Sequence, residues 1–440
     1  MTAEPTHSTA LYTDHYELTM LRAALEDGVA ERPAVFEVFA RSLPGRRRYG
    51  VVAGLARIVD AIGRFRFDPP TLEFLTRSGV VDAAAARWLA DYRFRGSVRA
   101  YPEGEVYFPG SPVFVVEAGF AEGLVLETVV LSILNFDSAV ASAAARMVQA
   151  AGDRPCIEMG SRRTHEAAAV ASARAAYLAG FTATSNLAAG LRWGVPTAGT
   201  AAHAFTLVHD DEPAAFAGQV AALGTGTTLL VDTFDVEAGI RHAVAAAGPG
   251  LGAIRLDSGD LGSLAHTARA LLDELGATGT RIVVTGDLDE HAIAALAAAP
   301  VDAYGVGTSV VTGSGVPTAG FVYKLVARAG SADPGARLEP VEKASPGKVS
   351  PGGRKWAARG YDPTGRASEE LVFVGRPPPA APGSRPLHVP VIRAGRPVRL
   401  AGLPEAREHC LRVRAELPPP ALALSPGDPV LQTRYLPEPP

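Results

Sequence analysis

Apolar residues change their spacing from one stretch of this chain to the next, and the changes mark out the elements. Between residues 12 and 28 they recur at helical intervals, with Thr13 and Asp14 at the entry and Gly28 as a stop; VFEVFAR (35–41) then alternates as a strand does. A small α/β unit is predicted there. A helical stretch follows over 51–90, and the segment 94–119 is dense in glycine, proline and alternating apolar residues, the pattern of short antiparallel strands. Residues 122–151 carry a long apolar face ending at Gly152, which predicts a substantial helix.

Seven strand-like runs come next: PCIEMG, GFTATSN, GVPTAGT, TLLVDTF, AIRLDSG, IVVTGD and DAYGVGT. They alternate with alanine-rich helical spacers, so six or seven β/α units are expected, with no sequence repeat beyond that layout. Several apolar runs open directly into glycine-rich polar segments: EMGSRRTHE (158–166), GVPTAGTAAH (194–203), IRLDSGDL (254–261), VVTGDL (283–288) and YGVGTSV (304–310). Each has the form of a strand's carboxyl end. Their recurrence predicts a parallel α/β barrel whose ligand sits where the strand ends converge. From about residue 326 the pattern breaks up and ends in a proline-rich tail, 376–440, expected to return to the first domain or wrap it. The expected domains are 1–120, 121–326 and 327–440.

Composition narrows the class. At 440 residues the chain has room for two or three domains at about 150 residues each. Its 47% hydrophobic and 20% charged residues suit a soluble globular enzyme, and a formal net charge of −4 argues against a general nucleic-acid binder. Cys156 and Cys410 lie far apart and in no metal-ligand spacing, so neither a disulfide framework nor a zinc site is expected, as in a reducing cytoplasm. The opening MTAEPTHST lacks the form of a secretory signal. The most apolar stretch, 113–134, is interrupted by Glu117, Glu122 and Glu127, and no membrane span is predicted.

The strand ends hold the candidate chemistry. Arg162 and Arg163 follow Gly160 and Ser161, where their guanidinium forks can meet phosphate or carboxylate oxygens or pair with Glu158 or Glu166. His203 closes GTAAH, three residues after Thr200; it is either a capped or core histidine or an acid, base or phosphoryl acceptor facing the same mouth. Arg255 and Asp257 share a strand face at i, i+2, suited to an anion and a ribose hydroxyl. Asp232 in LLVDTFD sits similarly, and Gly286 with Asp287 repeats the theme. Gly305, Gly307 and Thr308 can form a backbone cradle for a 5′-phosphate. Two basic runs, Arg46 to Arg48 with Arg41 before them, and Lys348, Arg354 and Lys355, read by default as surface and otherwise as loops over a polyphosphate. Tyr12 and Tyr16 read as core or helix-face aromatics.

Taken in order, TDHYELTM (13–20), AGL (53–55), LETVVLSILNF (126–136), MGSRRTHE, AGFTATSN, GTAAH, LVDTFD, RLDSGDL, TGDL, YGVGTS and SPGKVSPGGRKW (345–356) resemble the type II phosphoribosyltransferases, and within them the nicotinate phosphoribosyltransferases. The resemblance is co-linear over most of the chain. It implies an irregular parallel α/β barrel with an additional α/β domain formed by the N-terminal and C-terminal parts, and a homodimer with active sites between subunits. It implies the first step of NAD salvage, in which nicotinate and 5-phosphoribosyl 1-pyrophosphate give nicotinate mononucleotide and pyrophosphate, coupled to ATP hydrolysis and served by Mg²⁺.

Carried over by position, the resemblance makes His203 the transiently phosphorylated histidine. Tyr16 becomes an aromatic that stacks on the pyridine ring from the neighbouring subunit. Arg255 and Thr200 line the nicotinate side, Asp257 is a ribose-side carboxylate, and Gly307 with Thr308 forms the phosphate loop. Arg162 lies near base and phosphates, with Asn186 and Asp232 at polar positions nearby; Arg163 and Gly286 join the substrate-binding set. Met159 departs from the pattern, standing where nicotinamide-using relatives carry an aromatic, which favours nicotinate. Nicotinamide and quinolinate are the competing bases. A phosphate-binding barrel without catalysis and a nucleic-acid binder are the competing classes. No protein ligand for a metal is assigned.

Overall fold

The computed structural model describes residues 8–343 and 351–436. Lys348 lies outside the described residues. The chain divides into two compact units: residues 1–139 with 318–440, and residues 140–317.

The first unit is built on a seven-stranded sheet. Strand Pro33–Ala40 pairs antiparallel with Phe114–Gly119 on one side and Phe321–Ala329 on the other. The glycine- and proline-dense segment does contain short antiparallel strands: Ser97–Ala100 pairs with Phe114–Gly119, and Val106–Tyr107 with Gly50–Val51. Helix His15–Glu26 follows Asp14, and Gly28 takes φ +65° just beyond its end. The proline-rich tail returns to this unit, with Val389–Arg393 extending the same sheet and a four-stranded sheet formed by Ser384–Pro386, Lys355–Tyr361, Ala367–Val374 and Thr433–Leu436.

Arg41 and Arg46 are exposed, as the surface reading has it, but one member of each basic run is not. Arg47 is buried and donates to the Ala139 carbonyl, while Lys355 is buried against both carboxylate oxygens of Glu37 at 2.9 Å. Their charges are spent on the fold.

The second unit is the barrel. Six parallel strands form one curled sheet: Cys156–Glu158, Ala183–Thr184, Thr228–Leu230, Ala253–Leu256, Arg281–Val284 and Ala303–Val306, here the first to sixth. The hydrogen-bonded order is second, first, sixth, fifth, fourth, third, which is chain order taken round a ring. The remaining strand-like run, GVPTAGT, supplies a single parallel bridge, Thr197 to Thr184, on the outer side of the second strand. Among the described residues no pairing joins that bridge to the third strand. The barrel is therefore irregular, open along one seam, and the segment carrying Thr200 and His203 lies in sequence between the seam's two edges.

Among the described residues, one helical stretch, Phe120–Ala151, has the length and apolar composition to cross a membrane. Two-thirds of its most apolar window is buried in this fold, as in a core helix. Cys156 and Cys410 are both free and buried, and burial pushes their thiols up to about 12 and about 11, so neither is an ionised nucleophile near neutral pH.

Candidate active site

Strand direction decides where the polar residues gather. All six barrel strands run the same way, so the residues just past each carboxyl end fall at one mouth: Met159–Arg163, Ser185–Asn186, Val231–Thr233, Asp257–Ser258, Thr285–Gly286 and Gly307–Thr308.

Four of the candidate residues form a joined cluster. Arg255, in the fourth strand, donates from Nε to Thr285 Oγ1 at 2.8 Å, from Nη1 to Thr200 Oγ1 at 2.9 Å and from Nη2 to Asp257 Oδ1 at 2.7 Å. The shared strand face read from sequence thus becomes a direct ion pair. Burial works against charge on Asp257, but hydrogen bonds from Thr285 and Arg255, then the charges of Arg255 and His203, outweigh it and hold the carboxyl below its ordinary range. It stays ionised near neutral pH.

Asp232 completes the group from the end of the third strand. Its Oδ2 accepts from the Asp257 N–H at 2.8 Å and from Ser258 Oγ at 2.9 Å. Its side chain is only 2% exposed, yet Oδ1 has no hydrogen-bond partner among the described residues. That oxygen lies 3.9 Å from His203 Nε2, and Asp257 Oδ2 lies 4.0 Å from the same nitrogen. His203, half-buried at the start of the short helix His203–Leu207, uses its other nitrogen: Nδ1 is 3.1 Å from Thr233 Oγ1. The bland reading of a core histidine therefore gives way to one beside two acids in the mouth.

A second ring of hydrogen bonds fixes the loop after the first strand. Buried Glu158 accepts from Thr184 Oγ1 and the Gly160 N–H; burial raises its pKa while these two bonds oppose the rise. Asn186 caps helix Leu187–Trp193 through Ala189 N and reaches Ser161 Oγ from Nδ2 at 3.0 Å. Arg162 and Arg163, next along this loop, are exposed and form no ion pair with Glu158 or Glu166. Both guanidinium groups are left for another partner.

Close backbone approach brings the last two glycine segments in. A Cβ at Gly160 would fall 2.2 Å from Val311 Cγ1 and 2.9 Å from the Gly307 carbonyl, so the first and sixth strand ends meet only without side chains there. Thr308 opens the short helix Thr308–Val311 beside them. Gly286 has φ +117°, and a Cβ on it would sit 2.8 Å from the Asp257 carbonyl oxygen. Tyr16 belongs to the other unit, where it is 44% exposed; burial chiefly, and then its hydrogen bond and proximity to Glu127, raise its pKa.

Three partners were missed in the sequence. Thr285, Thr233 and Ser258 supply hydroxyls that tie Arg255, His203 and Asp232 into place. The available signal was a hydroxyl residue within three positions of the end of the fifth, fourth and third strands.

Comparison with known proteins agrees in every direction. Residues 11–135 match the model of the nicotinate phosphoribosyltransferase N-terminal domain. The chain is 58% identical over 436 residues to nicotinate phosphoribosyltransferase pncB1 of Mycobacterium tuberculosis, covering 97% of this chain and 95% of that one. The crystal structure of human nicotinic acid phosphoribosyltransferase superposes with a TM-score of 0.81 at 26% identity, covering 96% of this chain and 97% of that one. A nicotinate-nucleotide pyrophosphorylase structure from Pyrococcus furiosus gives 0.75 at 26%, covering 93% and 96%.

Proposed function

The chain belongs to the nicotinate phosphoribosyltransferase family, and from that premise we propose that it joins nicotinate to 5-phosphoribosyl 1-pyrophosphate. The products are nicotinate mononucleotide and pyrophosphate, the first step of NAD salvage from nicotinate, with ATP hydrolysis coupled through a phosphohistidine at His203. The observation that carries this reading is the joined cluster of Asp232, Arg255 and Asp257 at the convergent strand ends, with His203 facing the two acids at 3.9 and 4.0 Å.

Each residue type answers a charge that the reaction develops. Breaking the bond from C1 to pyrophosphate builds positive charge on the ribose and negative charge on the leaving group. Asp257, held ionised, favours the ribose charge. Gly307 and Thr308 cradle the 5′-phosphate with backbone groups, and Arg162 and Arg163 meet the phosphate oxygens from the facing loop. Arg255, oriented by Thr285 and Asp257, lines the nicotinate side with Thr200, where a guanidinium suits a carboxylate. Asn186 and Gly286 shape the walls. The pyridine nitrogen is a weak nucleophile, so stacking on a Tyr16 supplied by the neighbouring subunit serves to position the ring.

Magnesium fits the same acids. The buried Oδ1 of Asp232 is an anionic oxygen without a hydrogen bond, as expected of a carboxylate that awaits a cation. Asp232 and Asp257 would hold Mg²⁺ jointly with substrate phosphates, the few-carboxylate mode this ion prefers. When bound, it neutralises charge on the polyphosphate.

The assembly we propose is a homodimer with its active sites at the subunit interface, acting in the cytoplasm on nicotinate, 5-phosphoribosyl 1-pyrophosphate and ATP, with no nucleic acid or membrane required. Exposed apolar side chains support association: Leu187, Leu191, Phe205, Leu207, Val208 and Phe234 all follow strand ends of the barrel, and Leu11, Tyr12 and Tyr16 stand exposed in the other unit.

The test is mononucleotide formation from nicotinate, nicotinamide or quinolinate in parallel, each with Mg²⁺ and the phosphoribosyl donor, with and without ATP. ATP-stimulated product from nicotinate alone is expected. Product from another base would overturn the substrate, and donor binding without any product would overturn catalysis.

A further inference from the structure

We infer that a cavity in the first unit, separate from the barrel mouth, is a binding site for a nucleotide carrying two or more phosphates. The cavity opens at one end of the seven-stranded sheet. Pairing register puts residues 33–35 and 117–119 and Ala327 at the same end of three neighbouring strands, and these residues line it. No residue of the barrel mouth does. Its volume is about 1440 Å³, beyond the roughly 300–1,000 Å³ usual for small-ligand pockets, so a nucleotide with its phosphate chain has room.

Five arginines line the cavity, and its glutamates do not answer most of them. Helix Ala83–Ala90 turns Arg87 and Trp88 to one face with Ala84. Burial then alternates over residues 91–95, so Arg93 and Arg95 stand out while Tyr92 and Phe94 go inward. Arg337 arrives just before strand Leu338–Pro340, and Arg354 just before strand Lys355–Tyr361. Glu117 accepts from Arg354 at 2.7 Å on one oxygen and from Arg99 on the other, Glu122 accepts the Arg95 N–H, and Glu31 accepts the Trp88 Nε1–H at 2.8 Å. The guanidinium of Arg93 donates to the Tyr92 carbonyl at 2.5 Å, and among the described residues those of Arg87, Arg95 and Arg337 form no ion pair or hydrogen bond. Exposed arginines ordinarily make a solvated face. Here four of them line one cavity whose glutamates are already engaged, which leaves it a positive potential.

The remaining groups decide which anion fits. Trp88 is half-buried and has given its only donor to Glu31, so what it offers a ligand is ring surface, and guanidinium groups stack on planar rings in the same way. Asp91 forms no ion pair among the described residues and supplies an acceptor for a ribose hydroxyl. Guanidinium forks take phosphate oxygens two at a time. Phosphate, sugar and base each find a partner here, whereas a bare phosphate would leave the indole and the carboxylate unused.

The experiment measures binding of labelled ADP to the full-length protein by equilibrium dialysis, with a triple variant, Arg87→Ala, Arg95→Ala and Arg337→Ala, beside the wild type. None of the three belongs to the barrel mouth, so any ADP held there is common to both proteins. The wild type is expected to bind one ADP per chain more than the triple variant. Equal stoichiometry would overturn the inference. Inorganic tripolyphosphate should displace that extra ADP at least about ten-fold more weakly than unlabelled ADP does, for want of a base and a ribose. Equal competition would overturn the nucleotide and leave a site for polyanions alone. Should the triple variant fail to fold, Arg95→Ala and Arg337→Ala singly are each expected to weaken the extra site by about ten-fold, the loss typical of a hydrogen bond to a charged group. Unchanged affinity in both would overturn the site.

Discussion

Two polar clusters in this molecule use the same residue types to opposite ends. In the first unit, Glu105 receives Arg385 at 2.8 Å on one oxygen and at 3.3 Å on the other, and His409 at 3.0 Å on the first of these. Glu370 accepts from Tyr101 at 2.7 Å and from Ser111 on Oε1, and from Arg359 on Oε2. All four carboxylate oxygens are engaged, and Glu105, Arg359 and Glu370 are fully buried. At the barrel mouth Asp232 is equally hidden but has one oxygen idle, and His203 stands across a gap from both acids. A cluster whose acids are fully engaged locks segments together. One that is left incomplete has capacity for something that arrives.

The sharpest way to break this comparison is to remove one member of each. Glu105→Ala removes the acid that Arg385 and His409 share and one of the two that face buried Arg359, and should cost about 3–5 kcal/mol of stability, read from denaturant midpoints. If unfolding moved by less than about 1 kcal/mol, the network would not be the lock described. Arg255→Ala should instead lower kcat/KM by about 10²–10³-fold, the size expected for losing a charged contact at the reacting centre. Its unfolding midpoint should shift far less than that of Glu105→Ala, and a reversed ranking would merge the two clusters into one kind.

Acidity offers a finer separation. Burial opposes charge on Glu105, but His409, Arg359 and Arg385 together bring its pKa down from 4.5 to about 2. A depressed carboxyl stabilises the fold fully above pH 4.5 and loses that contribution as pH falls to 2. Glu105→Gln should therefore flatten the acid limb of stability in that window, and an unchanged slope there would assign the limb to other groups. Smallest of all, Arg77→Ala removes an exposed helix pair with Glu73 at 3.3 Å and should change stability by no more than about 0.5 kcal/mol.

The same contrast explains what could be read from the sequence. The mouth was legible because its residues lie within a few positions of strand ends: Arg255 and Asp257 in one run, Asp232 in another, Gly307 and Thr308 in a third. A strand's direction carries them to a common place without further information. The buried network was not legible, since Glu105, Arg359, Glu370, Arg385 and His409 come from segments that only the folded chain brings together. Lys355 was read as a surface charge for the same reason, as its partner Glu37 lies over 300 residues earlier in a strand whose alternation gave no hint of a buried acid. Thr233 and Thr285 fell between the two cases. They were adjacent to the named residues, but a hydroxyl carries no pattern of its own.

Chain order around the barrel has one exception, and it sets the order in which the barrel can be assembled. Every pairing but one joins strands that are consecutive in sequence, whereas Cys156 to Glu158 must find Tyr304 to Val306 across nearly the whole unit. Closure entropy rises with the length of chain enclosed, so this contact is the hardest of the set to make. It is also the contact that brings Gly160 against Gly307. The proposed phosphate cradle therefore forms with the last strand to dock, and a nascent chain released before Val306 would hold the acids and the histidine with no such loop beside them.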